Sequence, residues 1–380
     1  IPTLSILTED GDIHPSATAP DISKHTAIKL YETMRFIRLL DERMQGAQRQ
    51  GRVSFYMQCL GEEAAVTASA AALDQDDMIM AQYREQAALH YRGFTLDQFM
   101  NQMFSNELDL GKGRQMPIHY GSKALNYMTI SSPLGTQIPQ ATGYAYGQKI
   151  KHIDAKTGEL ASTIDNVTIC YFGEGAASEG DFHAGLNMAA VHKAPVIFFA
   201  RNNGYAISTP ADEQFKGDGI ASRGVGYGIK TIRVDGTDAL AVYAATKKAR
   251  EIASTQGEPV LIESIAYRLG AHSTSDDPSG YRSKDEEANN QICPIDKFRK
   301  WLVKQDWLNE EDDIKAKESI REEILAALKR AEVVAKPALE ELVSDVYDTP
   351  IPLLQRQYEQ LKEHIKQHPD AYPVTAGRIK

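Results

Sequence analysis

The sequence predicts an α/β fold, with a mainly parallel sheet and helices on both of its faces. Apolar, β-branched or aromatic runs at Val167 to Phe172 and Pro195 to Ala200 flank a segment in which Phe182, Leu186 and Ala189 recur at helical spacing. Strand, helix, strand of this length is a βαβ unit, whose right-handed crossover leaves its two strands parallel. The same alternation returns with a run at Ile229 to Val234, a helical stretch at Ala239 to Thr255 and a run at Pro259 to Tyr267. Strand after helix after strand, with continuous apolar runs, is the pattern of a sheet buried on both faces.

Taken in order, residues 1–25 carry Pro and Asp without a period and are expected to form an N-terminal arm, ordered by packing on something else. A helix follows over Thr26 to Gln50, where Leu30, Met34, Ile37, Leu40 and Met44 repeat every three or four residues as one buried face. Glu62 to Leu73 is almost all Ala and small neighbours, which suits close helix approach, a subunit boundary or simply a strong helix former. The polar, Gly-centred stretch from Lys151 to Asp165 reads as a surface hairpin or loop. After Asp285 the pattern turns charged and helical, with Ile314, Ile320, Ile324 and Leu328 near one face. A last stripe runs through Leu353, Leu354, Tyr358, Leu361 and Ile365, facing either its own domain or a partner. The expected division is an arm at 1–25, an α/β domain at 26–285 and a C-terminal helical extension at 286–380.

Composition narrows the function. A chain of 380 residues with 42% hydrophobic content can bury a large core. No window nears the roughly 18 apolar residues of a spanning helix, so no membrane is expected. A formal net charge of −10 disfavours nucleic acid, whose phosphates need Lys and Arg, and means that any anionic ligand must be met locally. Cys59, Cys170 and Cys293 are too few for a disulfide framework or a four-cysteine zinc site and fit a reducing compartment. A soluble intracellular protein is expected, in the bacterial cytoplasm ahead of the mitochondrial matrix.

Glu174 follows the first apolar strand and Asn203 follows the second. Ligands in open α/β sheets gather outside the carboxyl ends of the strands, so both residues should open into one crevice. Carboxylate, amide and carbonyl oxygens suit magnesium, which completes its shell with phosphate and water, so a metal bound to a phosphorylated ligand is the favoured reading. Gly173 and Gly175 flank the carboxylate where the backbone must turn and come close to a ligand.

Gly-Glu-Gly at 173–175 followed by Asn202-Asn203 resembles the fingerprint of thiamine diphosphate enzymes, with Glu174 where the usual residue is Asp. GEGAASEGD as a block, together with GRVSFYMQCLGEEA, QYRE, DLGKGRQMPIHYG, SSPLGTQIPQATG and YRLGAHSTSDDPSGYRS, resembles the alpha subunits of branched-chain 2-oxo acid dehydrogenases along nearly the whole chain. Relative to that family, 151–165 looks like an insertion.

The resemblance implies thiamine diphosphate, magnesium held by Glu174, Asn203 and the main-chain carbonyl of Tyr205, and further cofactor contacts from Tyr83, Arg84, Arg201, His272, Gly173, Gly175 and Ala176. It implies that Ser132 and Leu134 present backbone groups to the pyrimidine, that His272 and Arg268 are the catalytic candidates, and that Ser131, Pro133, Thr136 and Gln137 hold potassium. That last stretch reads equally as a helix N-terminus capped by Ser or Thr. A buried ion pair with Glu85 is the alternative for Arg84. Ser273 and Ser283 match positions phosphorylated in animal members, in a loop expected to be mobile, and Ala271 stands where many relatives have a second His. The implied reaction is decarboxylation of the keto acids of valine, leucine and isoleucine and transfer of the acyl group to a lipoyl-bearing acyltransferase core. The implied assembly is an α2β2 heterotetramer, in which the beta subunit supplies the Glu that activates the cofactor. Competing readings are a pyruvate or acetoin type of alpha subunit, a cofactor-binding scaffold without turnover, and a dinucleotide-dependent oxidoreductase, for which no Gly-x-Gly-x-x-Gly opens a βαβ unit.

Overall fold

The computed structural model describes residues 1–372; residues 373–380, the end of the expected extension, lie outside them. Its strands are β1 (Thr3–Leu4), β2 (Met78–Met80), β3 (Thr168–Gly173), β4 (Val196–Asn202), β5 (Tyr205–Ala206), β6 (Thr209–Pro210), β7 (Lys230–Asp235) and β8 (Val260–Ile265). Six of them form one all-parallel sheet in the order β1-β7-β8-β4-β3-β2. β5 and β6 make a separate antiparallel pair.

The helices that place the site are α1 (Lys24–Arg49), α2 (Glu63–Ala71), α3 (Gln86–Tyr91), α4 (Leu96–Met103), α5 (Gln137–Ile150), α6 (Gly180–His192), α7 (Ala211–Gln214), α8 (Ala221–Gly226) and α9 (Ala239–Gln256). A C-terminal set follows: α10 (Lys284–Asn289), α11 (Pro294–Lys304), α12 (Glu310–Glu332), α13 (Glu341–Ser344) and α14 (Pro352–Gln367).

Successive side chains on a strand point to opposite faces, and β3 sorts its residues accordingly. Ile169 and Tyr171 enter one core with α1, α2, α9, α11 and α12, whereas Cys170 and Phe172 enter a second core with α5 and α6. Every residue of β3 but the last is buried, which explains why its sequence lacks polar alternation.

The Ala-rich stretch proves to be α2, packed inside the chain against α1, α3 and α9, where small side chains permit the close approach. The arm is ordered on its own sheet, because β1 pairs with β7 and the Asp238 carboxylate accepts the N–H groups of Ile6 and Leu7, each at 2.6 Å. Residues 151–165 form turns joined by one antiparallel bridge between Ile153 and Leu160.

The expected apolar face of α12 holds only in its later turns: Ile324 and Leu328 are buried, but Ile314 is 59% exposed. Asp313 takes the inward position there, accepting from the Tyr31 hydroxyl at 3.0 Å and pairing with Arg35 and Arg299. On α14 only Ile365 is buried, and Leu353 stands exposed. No described helix is long and apolar enough to cross a membrane.

Candidate functional site

β3 and β4 are neighbours in register, with Gly173 opposite Arg201, so the residues that follow them emerge side by side. Glu174 and Asn203 are both buried, and the Asn203 N–H donates to Glu174 Oε2 at 3.4 Å. Asn203 donates its side-chain Nδ2 to Glu62 Oε1 at 2.8 Å, which leaves its oxygen as the end able to face a cation. Tyr205 opens β5 two residues later, bringing its carbonyl to the same end of the sheet. Burial pushes the Glu174 carboxyl above the usual carboxylate range, so a cation against it would restore its charge. Among the described residues no group of three or more His, Cys, Asp or Glu could hold a metal. A cation here would therefore complete its shell from phosphate and water, as magnesium does.

These residues open on a cavity of about 550 Å³. Tyr83, Arg84, Ser132, Leu134, Gly173, Glu174, Gly175, Ala176, Arg201, Asn203, Tyr205, Arg268, His272 and Ser273 all line it. A Cβ on Gly175 would sit 2.9 Å from that of Ala206, so only glycine lets β5 pack this close, while Gly173 leaves open wall beside Gln82.

Ser131, Pro133, Thr136 and Gln137 do not line the cavity but share the turn before α5. Thr136 occupies the N-cap position without capping, because its hydroxyl donates to the Pro133 carbonyl at 3.2 Å; the expected Ser or Thr cap is thus replaced by a turn. Gln137 donates to the Tyr171 carbonyl at 3.1 Å. Ser283, in contrast, is a true cap of α10, accepting from the Glu286 N–H at 3.0 Å.

Among the described residues, two of the cationic wall residues lack carboxylate partners. Arg84 donates to the carbonyls of Gln58 and His272, the latter at 2.7 Å, and Arg268 donates to the carbonyls of Tyr205, Ile207 and Gly270 and to the Tyr281 hydroxyl. Both are fully buried. Buried guanidiniums bonded only to neutral acceptors favour an anion in the cavity.

Arg201 differs. It pairs with Glu62 and Glu85, each at 2.5 Å, and only its Nη2 is a buried nitrogen without a partner. The alternative of an Arg84–Glu85 pair is overturned by this geometry, since Glu85 turns to Arg201 and to the N–H groups of Gln82 and Tyr83.

Arg84 Nη2 lies 3.3 Å from His272 Nδ1. Arginine can only donate, so Nδ1 is the acceptor and the neutral ring carries its proton on Nε2. Burial, with Arg84 and Arg268 beside it, pushes the His272 pKa down to about 3. The loop that carries it is tied down: Asp276 accepts from the His272 N–H and from the Tyr281 hydroxyl, both at 2.6 Å.

The wall has a second character. Phe55, Met57, Met116, Ile118 and Leu134 give it an apolar side suited to an aliphatic group. Of these only Leu134 was singled out from sequence; the others, with Glu62, Gln82 and His119, stood there only inside family-like blocks, and Glu85 only as an alternative partner for Arg84. Within those blocks neither residue type nor spacing marks these positions individually. His119 bonds the Pro117 carbonyl through Nδ1 and Ser132 Oγ through Nε2, each at 3.0 Å, and so steadies a wall residue.

His90, half-buried and stacked on Phe36 at 3.8 Å between centroids, is held neutral as well, with its pKa pushed down to about 4 by desolvation. Below the unfolded value of about 6.5 the unfolded chain takes up protons that the folded one refuses, so stability present above pH 6.5 is lost as pH falls through this window. Asp41, whose carboxyl burial lifts to about 7, acts in the opposite sense. The expected result is that His90→Phe loses fewer degrees of melting temperature than wild type between pH 7.5 and pH 5. Equal losses would mean that His90 does not titrate as its burial requires.

The sequence profile of the dehydrogenase E1 component family matches residues 31–340. The chain is 49% identical over 375 residues to 2-oxoisovalerate dehydrogenase subunit alpha 1, mitochondrial, of Arabidopsis thaliana, covering 98% of this chain and 77% of that protein. It is 48% identical over 376 residues to the human 2-oxoisovalerate dehydrogenase subunit alpha, mitochondrial (98% and 82%), and 49% over 380 residues to that of Dictyostelium discoideum (98% and 83%).

Proposed function

The chain belongs to the dehydrogenase E1 component family, and we propose that its cavity is the diphosphate-anchoring half of a thiamine diphosphate site acting on branched-chain 2-oxo acids. The protein is the alpha-type subunit of an oxidoreductase that decarboxylates the keto acids of valine, leucine and isoleucine and transfers the acyl group to a lipoyl group. The family depends on thiamine diphosphate. When bound, that cofactor supplies the electron sink for loss of carbon dioxide.

The observation that carries the site assignment is the meeting, in one cavity, of two uncompensated guanidiniums, one buried carboxylate with an amide and a carbonyl beside it, and an apolar wall. Arg84 and Arg268 would meet the phosphates, with the free Nη2 of Arg201 adding a donor. Glu174, Asn203 Oδ1 and the Tyr205 carbonyl would hold magnesium. His272, fixed as the Nε2–H tautomer, can donate toward the ligand and stays uncharged at neutral pH. Phe55, Met57 and Met116 would take the branched side chain of the keto acid and keep water from it.

An alpha subunit has a beta partner. A finer reading adds an α2β2 assembly, in which that partner provides the activating Glu, and a lipoyl-bearing acyltransferase core. Potassium at Ser131, Pro133, Thr136 and Gln137 is supported by Gln137, whose NH2 is taken up by Tyr171, leaving its oxygen for the turn. Phosphate on Ser273 would place negative charge on the cavity wall, whereas on Ser283 it would act only through the α10 cap. Three free cysteines fit either the bacterial cytoplasm or the mitochondrial matrix.

The test is keto-acid-dependent reduction of an artificial electron acceptor by the chain co-purified with its beta partner, with thiamine diphosphate and magnesium. Two extra carbons against an apolar wall correspond to roughly tenfold, so the valine keto acid should exceed pyruvate in kcat/KM by about that factor. Preference for pyruvate would overturn the substrate assignment and leave the cofactor site standing.

A further inference from the structure

We propose that Asp41, which touches no part of the cavity, is a positioning residue that sets the enzyme's choice of keto acid by pinning the segment that presents Phe55 and Met57. The inference rests on the branched-chain reading above.

Asp41 lies in α1 and is wholly buried. Its Oδ1 accepts from the Tyr56 hydroxyl at 2.7 Å, and its Oδ2 accepts from the Cys59 N–H at 2.7 Å and the Cys59 thiol at 3.3 Å. All three donors belong to a phenol, an amide and a thiol, none of them cationic. A carboxylate taken out of water without a counterion is costly, and an apolar residue of similar volume would avoid that cost. What an apolar residue cannot do is accept hydrogen bonds from two points on the chain at once.

Those two points are informative. Tyr56 and Cys59 flank Met57 and Gln58, so one carboxylate clamps both ends of a two-residue piece. Residues 51–62 contain no helix or strand, and the backbone there depends on such outside bonds for its shape. The clamped piece meets the site twice. Met57 lines the cavity together with Phe55, which directly precedes the clamped Tyr56, and the Gln58 carbonyl accepts from Arg84, which in turn holds His272. Gln86 grips the same piece through the Met57 carbonyl at 3.1 Å, but from the site side. Asp41 is the anchor on the far side, and it decides how far the apolar wall stands from the substrate.

The wall selects among keto acids through contact with a few methyl groups, and a small retreat forfeits that contact while leaving the diphosphate anchors in place. Asp41→Asn keeps one of the two acceptor oxygens and so can serve only one end of the clamp, and Tyr56→Phe removes one of the three donors and nothing else; both nearly keep the core volume. In the assembled enzyme each is expected to lower the ratio of kcat/KM for the valine keto acid over pyruvate by about threefold to fivefold, chiefly through KM for the valine keto acid. Thiamine diphosphate with magnesium should bind within about twofold of wild type, since Asp41 reaches Arg84 only through the Gln58 carbonyl and Arg84 keeps its bond to the His272 carbonyl. Leu302→Ala, a buried core change in α11, is the control for plain destabilisation and should leave the ratio alone.

An unchanged ratio in both clamp variants, or an equal fall in Leu302→Ala, would overturn the proposal. A wild-type enzyme without preference for the valine keto acid would instead overturn the substrate reading on which it stands.

Discussion

Glu174→Ala in the assembled enzyme loses turnover by about a hundredfold or more, and added magnesium does not restore it at any practical concentration. Glu174 is the only carboxylate in the proposed metal set; the other donors, Asn203 Oδ1 and the Tyr205 carbonyl, are neutral. Removing it leaves a dication with only dipoles among its protein donors, with Arg84 and Arg268 buried in the same cavity wall and repelling it. Glu174→Gln separates shape from charge: it keeps the volume and one oxygen, and it should lose nearly as much as alanine if charge is what matters. Glu174→Asp keeps the charge and shortens the arm, matching the residue usual in thiamine diphosphate enzymes, so it should retain the most activity and shift the magnesium requirement upward. The measurement is magnesium titration of turnover and of cofactor binding for the three variants. Binding that survives in Glu174→Gln with an unchanged magnesium requirement would remove Glu174 from the metal site.

How much of this was legible beforehand follows from which residues carry their own signal. β3, β4 and β8 were readable because strands buried on both faces are largely apolar, β7 because its Ile229 to Val234 run is β-branched although only Val234 of the strand is buried, and α1 because of its long periodic stripe. β1 and β2, with two and three residues, are too short to show any period, and what makes them strands is the neighbour each one finds. α2 could be read as a helix, but not as one packed within its own chain, because an Ala-rich surface looks alike against any partner. At the site, Glu174 and Asn203 were visible because glycines and a second amide mark the ends of two strands. Glu62 was not, although it grips both Asn203 and Arg201: it sits in the Glu62-Glu63 pair before an Ala-rich helix, where two acids read as a helix start. Arg201 was expected to serve the phosphates with its whole charge, but two carboxylates from distant stretches claim most of it. Asp41 reads as one more polar residue on a charged helix; only the folded chain puts Tyr56 and Cys59 against it.

That hidden trio yields the largest expected loss of stability. Glu62, Glu85 and Arg201 are all within 2% of full burial, so the two carboxylates and the guanidinium have no water to fall back on. Burial works against a charged Glu62, yet Arg201 and Arg84 beside it prevail and hold its carboxyl below the ordinary carboxylate range. Glu62→Ala removes one limb of the network and leaves Arg201 with Glu85, and it strips the Asn203 amide of the side-chain acceptor it has among the described residues. Breaking a buried ion pair by deleting one partner costs about 3–5 kcal/mol, because the surviving charge stays desolvated. Glu62→Gln keeps the oxygen that accepts from Asn203 but turns an NH2 donor toward Arg201 in place of the second oxygen, so it should lose stability as alanine does while keeping the Asn203 amide oriented. Denaturant unfolding of the three proteins gives the ranking. Since Glu62 also decides which end of the Asn203 amide faces the cavity, the alanine variant should raise the magnesium requirement even at temperatures where it is fully folded, whereas a loss of stability with normal magnesium dependence would confine Glu62 to the core.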